Sequence, residues 1–160
     1  MDDFRKPAAA LPLSNGTLNG CFGCGDANEA GLHLHFFIDA EGRVLCRTRL
    51  SVRFQGPPGH VHGGIIATML DEAMSKANRH RGIVAITRHM SVDYLKPVPL
   101  EADLVLEGWS ERDAASDSGR KHRCAAEVRD ASGTVLATAA GIFIQVTPEL
   151  IERYRQQQAK

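Results

Sequence analysis

The chain has 160 residues, 43% hydrophobic and 24% charged, with 19 Lys+Arg balanced by 19 Asp+Glu. That length supports one domain with an ordinary core, and the even charge gives no basic footprint for nucleic acid. No run approaches the ~18 apolar residues of a membrane span, so the composition is that of a globular protein with neither nucleic acid nor membrane as partner.

Residues 1–20 hold scattered prolines, alanines and Asn-Gly pairs without a sustained period, and read as a loosely attached arm. The opening MDDFRKPAAALPL is acidic and lacks a long apolar stretch. It does not read as a secretory signal, and a cytoplasmic location is the default expectation. Without an export signal the four cysteines read as reduced thiols. Cys21-Phe22-Gly23-Cys24-Gly25 looks like half of a zinc knuckle, with His33, His35 and Cys46 further on, but no second CxxC follows. The expectation is therefore no metal, and a turn whose small cysteines pack beneath the first strand.

From Gly31, LHLHFFID alternates as a strand with Leu32, Leu34 and Phe36 on one face. After a turn at Ala40-Glu41-Gly42, residues 43–54 read as a long strand with one wet face. The chain then enters PPGHVHGGIIATMLDEAM, residues 57–74, around which the rest is organised. Ile65, Ile66, Met69, Leu70, Ala73, Met74 and Ala77 fill one arc of a helical wheel, with Glu72 and Lys76 opposite as an i,i+4 pair on a solvated face. Asp71 falls on the shoulder between them, and aspartate is a poor residue for a helix interior. Gly63 and Gly64 leave the unpaired first-turn amides open to a ligand carbonyl, which makes a candidate oxyanion hole. Asp71 is ~12 Å further along the axis. One helix cannot set both groups on one carbonyl, so either a second copy supplies one of them or the two are unrelated.

The arrangement GPPGxVHGG, then six residues and an acid, resembles the PaaI-type hot-dog-fold acyl-CoA thioesterases, in particular the branch with the mammalian mitochondrial thioesterase-superfamily members. The resemblance runs from about Cys21 to Val146. It implies hydrolysis of acyl-CoA thioesters at sites shared across a homodimer, further assembled into a tetramer, with no cofactor because coenzyme A is part of the substrate. On that resemblance the Gly63 amide polarises the carbonyl, Asp71 serves as general base or nucleophile, His62 orients the turn, and the Thr87 hydroxyl helps hold the water or the carboxylate. Many relatives have Asn six residues before the histidine. Here that position is Gly56, so Gln55 beside it is the candidate substitute, with Gly64 as a further substrate contact. The resemblance also places nucleotide contacts at Lys96 and Pro97 and in the loop 112–121, through Gly119, Arg120 and Lys121. A non-catalytic acyl-CoA binder or sensor is the alternative, and the retained Asp71 argues against it.

Arg79, His80, Arg81 and Gly82 suit a helix C-terminus. In the following strand Ile86, Arg88, Met90, Val92 and Tyr94 are expected to share one side, and Pro97 and Pro99 end it. Three more strands follow, over 104–109, 122–129 and 134–146, with Pro148 near the start of a charged terminal helix. Two strands, one long helix and about four strands joined by short turns imply an α+β pair of layers. The expected architecture is a hot-dog domain over 21–147, an antiparallel sheet of five or six strands wrapped around one helix, with a short helix or tail over 148–160.

Overall fold

A computed structural model of the protein describes residues 11–14, 19–111 and 119–158. Seven strands form one antiparallel sheet: β1 (Leu11–Pro12), β2 (Phe37–Ile38), β3 (Val44–Thr48), β4 (Ala85–Tyr94), β5 (Leu104–Glu111), β6 (Lys121–Asp130) and β7 (Val135–Gln145). Their order across the sheet is β1-β2-β3-β5-β6-β7-β4, so β4 lies at the edge although its neighbour β7 is the last strand made. Two of the seven are only two residues long, and the remaining five carry the sheet. The long helix α1 (Gly63–His80) packs across one face, and α2 (Pro148–Gln158) closes the chain. None of the described helices is long and apolar enough to cross a membrane.

The strand periodicity explains the packing. In β3, Val44, Cys46 and Thr48 turn inward, and in β5 Leu104, Leu106 and Gly108 do the same. They meet Ile66, Met69, Leu70, Ala73, Met74 and Ala77 of α1, all buried. The opposite face of the sheet is held by polar pairs, with Arg43 on Glu107 and Arg49 on Asp103. α1 lies close against the sheet at Gly108, where a Cβ would lie 2.5 Å from the Ala73 carbonyl oxygen. Backbone meets backbone there, and no side chain fits between them.

Three sequence expectations change. The strand expected from Leu32 pairs only at Phe37–Ile38, because His33 takes a φ of 50° that no extended strand continues. The amides of Leu32 and Leu34 bond instead to the carbonyls of Phe22 and Gly23. Leu32, Leu34 and Phe36 still reach the core. The second strand stops at Thr48, and Val52–Phe54 coils into a single 3-10 turn closed by Phe54 N–H to Ser51 C=O. The third change concerns Glu72 and Lys76. The Cys21–Cys24 turn folds over them, and Lys76 is left only 5% exposed. The solvated face expected there is covered.

A Gly108→Ala substitution forces α1 away from β5. It is expected to destabilise the protein by about 1–3 kcal/mol, read as a lowered midpoint in thermal or urea unfolding.

Candidate active site

The turn before α1 is tied to the rest of the fold at several points. Val61 N–H bonds to Val98 C=O, Gly56 N–H to His60 C=O, and His60 pairs with Pro99. His62 is the N-cap: its Nδ1 accepts from the Gly64 amide at 3.0 Å, and its carbonyl accepts from the amides of Ile65 and Ile66. Gly64 therefore has its donor engaged. Gly63 keeps its amide unengaged among the described residues, while its carbonyl accepts the Tyr94 hydroxyl at 3.1 Å. The helix dipole adds partial positive charge at this point. Gln55 accepts the Gly59 amide through Oε1 at 3.3 Å and so braces the turn. His60 lies over Pro58, Nδ1 donating to its carbonyl at 2.9 Å.

Beside this helix start lies a pocket of about 380 Å³ lined mainly by apolar surface. Pro57, His60, Gly63, Tyr94, Lys96 and Pro97 are among the residues around it.

Asp71 sits two turns further down α1, half-buried. Thr87 Oγ1 donates to its Oδ1 at 2.7 Å. Burial pushes the Asp71 carboxyl above its ordinary range, the Thr87 hydrogen bond pulls partly the other way, and the charge of Glu72 adds to the rise. Thr87 reaches the helix because of a register break. Along β4 the pairing with β7 slips between Thr87 and His89, leaving Arg88 as an extra residue. Uninterrupted alternation would put Thr87 on the side away from Met90, Val92 and Tyr94. With the bulge, Thr87 joins Met90, Val92 and Tyr94 on the α1 side, and Ile86 turns out, 52% exposed. The common face expected for Ile86, Arg88, Met90, Val92 and Tyr94 is thus broken at Arg88.

Within one copy the candidate residues divide into two groups. Gly63, Gly64, His62, Lys96 and Pro97 gather near Tyr94, at one end of β4. Asp71 and Thr87 gather near its other end. Lys121 pairs with Ile144, which also pairs with Ile86, so Gly119, Arg120 and Lys121 belong to the second end. Gly119 turns the chain with a φ of 67°, Arg120 C=O accepts the Gln145 amide, and both basic side chains are exposed. Residues 112–118 of the expected nucleotide loop lie outside the described residues. From Thr87 to Tyr94 is roughly 20 Å at the usual strand rise. The Tyr94 hydroxyl is a feature the sequence did not single out. Only its place just before Leu95-Lys96-Pro97 hinted at it.

Residues 58–112, from the glycine turn through α1 to the end of β5, match the family model described as the thioesterase superfamily. Over that stretch the chain is similar to the thioesterase superfamily. Among similar proteins, the acyl-coenzyme A thioesterase THEM4 of Rattus norvegicus is 32% identical over 71% of this chain and 48% of its own length. The chain spans about half the length of such relatives. A crystal structure of a thioesterase superfamily protein superposes with a TM-score of 0.68 at 34% identity, covering 74% of this chain and 56% of that one. The PaaI protein of E. coli, at 15% identity, shares the fold with a TM-score of 0.64 over 76% of this chain and 86% of its own. The superfamily's hot-dog architecture is the sheet and helix described above, with seven strands instead of five or six.

The raised Asp71 carboxyl carries a stability consequence. In the fold the charged form is disfavoured relative to the unfolded chain, so stability is lost as pH rises through the ordinary carboxylate range and stays lost above the folded value. Asp71→Asn is therefore expected to melt higher than the native protein near neutral pH. The gap should close below about pH 3, where both states hold the proton, and thermal scans at several pH values check it.

Proposed function

We propose that the protein hydrolyses acyl-coenzyme A thioesters to free acid and coenzyme A, at sites shared between two copies. The observation that carries this is the pair of half-sites at opposite ends of an exposed edge strand. β4 is mostly exposed, with Ile86 and the Tyr94 ring uncovered on it and Leu95 uncovered just past its end. A bare edge invites pairing with another chain, and a two-fold axis makes that pairing antiparallel and self-complementary. An axis passing close to Met90 and Ser91 would set Thr87 against the partner subunit's Tyr94. The partner subunit's Gly63 then comes beside Asp71, and the separation seen in one copy disappears.

In that arrangement the thioester oxygen accepts the Gly63 N–H, and one such donor is worth roughly 3–4 kcal/mol of transition-state stabilisation. His62 keeps the turn in place by holding the Gly64 amide. Thr87 holds Oδ1 of Asp71, so Oδ2 faces the reaction and takes the proton of an attacking water. A carboxyl pushed up by burial is a better base than an ordinary one. The carbonyl carbon gains the water oxygen, the C–S bond breaks, and coenzyme A leaves as its thiol. The same pairing brings Lys96 and Pro97 of one copy toward Arg120 and Lys121 of the other. Arg120 and Lys121 would meet the nucleotide phosphates as charge-assisted donors, and the pocket beside Gly63 would take the pantetheine arm. The reaction needs no cofactor. A relative named as an acyl-coenzyme A thioesterase supports this substrate class.

Asp71→Ala is expected to lower kcat by about 10²–10⁴-fold in a free-thiol assay on acyl-CoA esters, with the sedimentation profile unchanged. Near-native turnover in this variant would remove Asp71 from the reaction. Arg120→Ala should raise KM for CoA esters several-fold and leave kcat close to native. A KM that does not move would take this segment out of the substrate site.

A further inference from the structure

Four side chains, two of them buried and two half-buried, form a second cluster on the α1 face that the proposed reaction does not use. The Cys21–Cys24 turn lies over Glu72 and Lys76. The Cys21 thiol donates to Glu72 Oε2 at 3.5 Å, and Lys76 Nζ donates to Cys24 Sγ at 3.1 Å. Lys76 also pairs with Glu72 at 3.4 Å and stands 6.0 Å from the centre of the Phe36 ring. Cys21 Sγ, Cys24 Sγ and a Glu72 oxygen all lie within 4.8 Å of one another.

The turn is fitted to this cluster. A Cβ on Gly23 would meet Glu72 Oε2 at 2.7 Å, and one on Gly25 would meet the Asn19 carbonyl at 2.2 Å. Gly25 N–H bonds to Cys21 C=O, a helical type of turn. Residues three apart in such a turn have Cα atoms about 5 Å apart, inside the range a disulfide accepts.

Two thiols and a carboxylate at these distances are also a metal-ligand set. The Lys76 ammonium decides against it. It is 5% exposed, bonded to one of the thiols and to the carboxylate, and already supplies the cation their charges call for.

We propose that Cys21 and Cys24 form a peroxide-oxidisable dithiol, with Glu72 as the base that activates Cys21 and Lys76 as the cation that steadies Cys24. Cys21 is the partly exposed member and Cys24 is 3% exposed, so a small hydroperoxide meets Cys21 first. Glu72 takes the Cys21 proton, and the thiolate sulfur attacks one peroxide oxygen. The O–O bond breaks, the departing hydroxide is protonated to water, and Cys21 becomes a sulfenic acid. Cys24 sulfur then attacks Cys21 sulfur: the S–O bond breaks, the S–S bond forms, and the hydroxide leaves with the Cys24 proton as a second water. One hydroperoxide gains two electrons and the two thiols lose them. Burial and Glu72 push the Cys24 thiol up to about 11, with Lys76 pulling the other way, which keeps Cys24 protonated at rest and suits the resolving role. Cys46 and Cys124, 1% and 0% exposed, serve as internal controls.

The test is to treat the reduced full chain with hydrogen peroxide, alkylate in denaturant, and map the peptides by mass spectrometry. Alkylatable thiols should fall from the native four, with Cys46 and Cys124 retained. The peptide holding Cys21 and Cys24 should lose about 2 Da, restored by dithiothreitol. Glu72→Gln should slow the loss by about tenfold or more. The proposal is overturned if both cysteines stay alkylatable, if Cys21 stops at a sulfinic acid, or if Cys24 is found joined to Lys76. Stoichiometric zinc bound by the reduced protein at micromolar metal, or an unchanged rate in Glu72→Gln, overturns it equally.

Discussion

The contact on which the rest of the molecule depends is the one between the α1 backbone and β5, where Gly108 lets the sheet come against Ala73. It fixes the depth of the helix in the curve of the sheet. The depth in turn sets how far Asp71 is drawn from solvent and which strand it can touch. A helix held further out would leave Asp71 as an ordinary exposed carboxylate. The glycines at its N-terminus would then serve only as a turn.

A small irregularity converts this packing into a site. Regular pleating would have given Asp71 no hydroxyl neighbour on β4. The extra residue at Arg88 turns Thr87 toward the helix and leaves Tyr94, seven residues beyond Thr87, on the same side. One bulge therefore serves both ends of the strand: Thr87 at Asp71 and Tyr94 at Gly63. Bulges cluster beside functional sites for this reason. The two ends are too far apart to act on one carbonyl within a single copy, and the exposed edge between them is where a second copy would close the gap.

Much of this was legible in the residues, for local reasons. The 3.6-residue spacing from Ile65 to Ala77 and the cationic end at Arg79–Arg81 give α1 almost to its ends. The glycine pair marks its start, and alternation marks β5 and β7. What escaped were features decided by distant neighbours. Glu72 and Lys76 look like a solvated pair on the helical wheel, because a wheel does not show a turn fifty residues upstream folding over them. Leu32, Leu34 and Phe36 alternate as a strand does, yet His33 turns left-handed and the Cys21–Cys24 turn takes the amides of Leu32 and Leu34. The bulge leaves no mark on composition or period. Of the candidate site, Asp71 and Gly63 stood out in the residues themselves and Thr87 only through the family resemblance, while the side of β4 that Thr87 faces was not legible.

The strand order has a consequence for how the chain is made. β4 leaves the ribosome soon after α1, but its hydrogen-bonding neighbour β7 lies more than forty residues further along. Until β7 emerges, α1 has only part of its apolar face covered and β4 has both edges bare. Completion of the β4 edge therefore waits for the last strand, and a chain that has made α1 and β4 but not β7 keeps apolar helix surface and unpaired strand edges exposed.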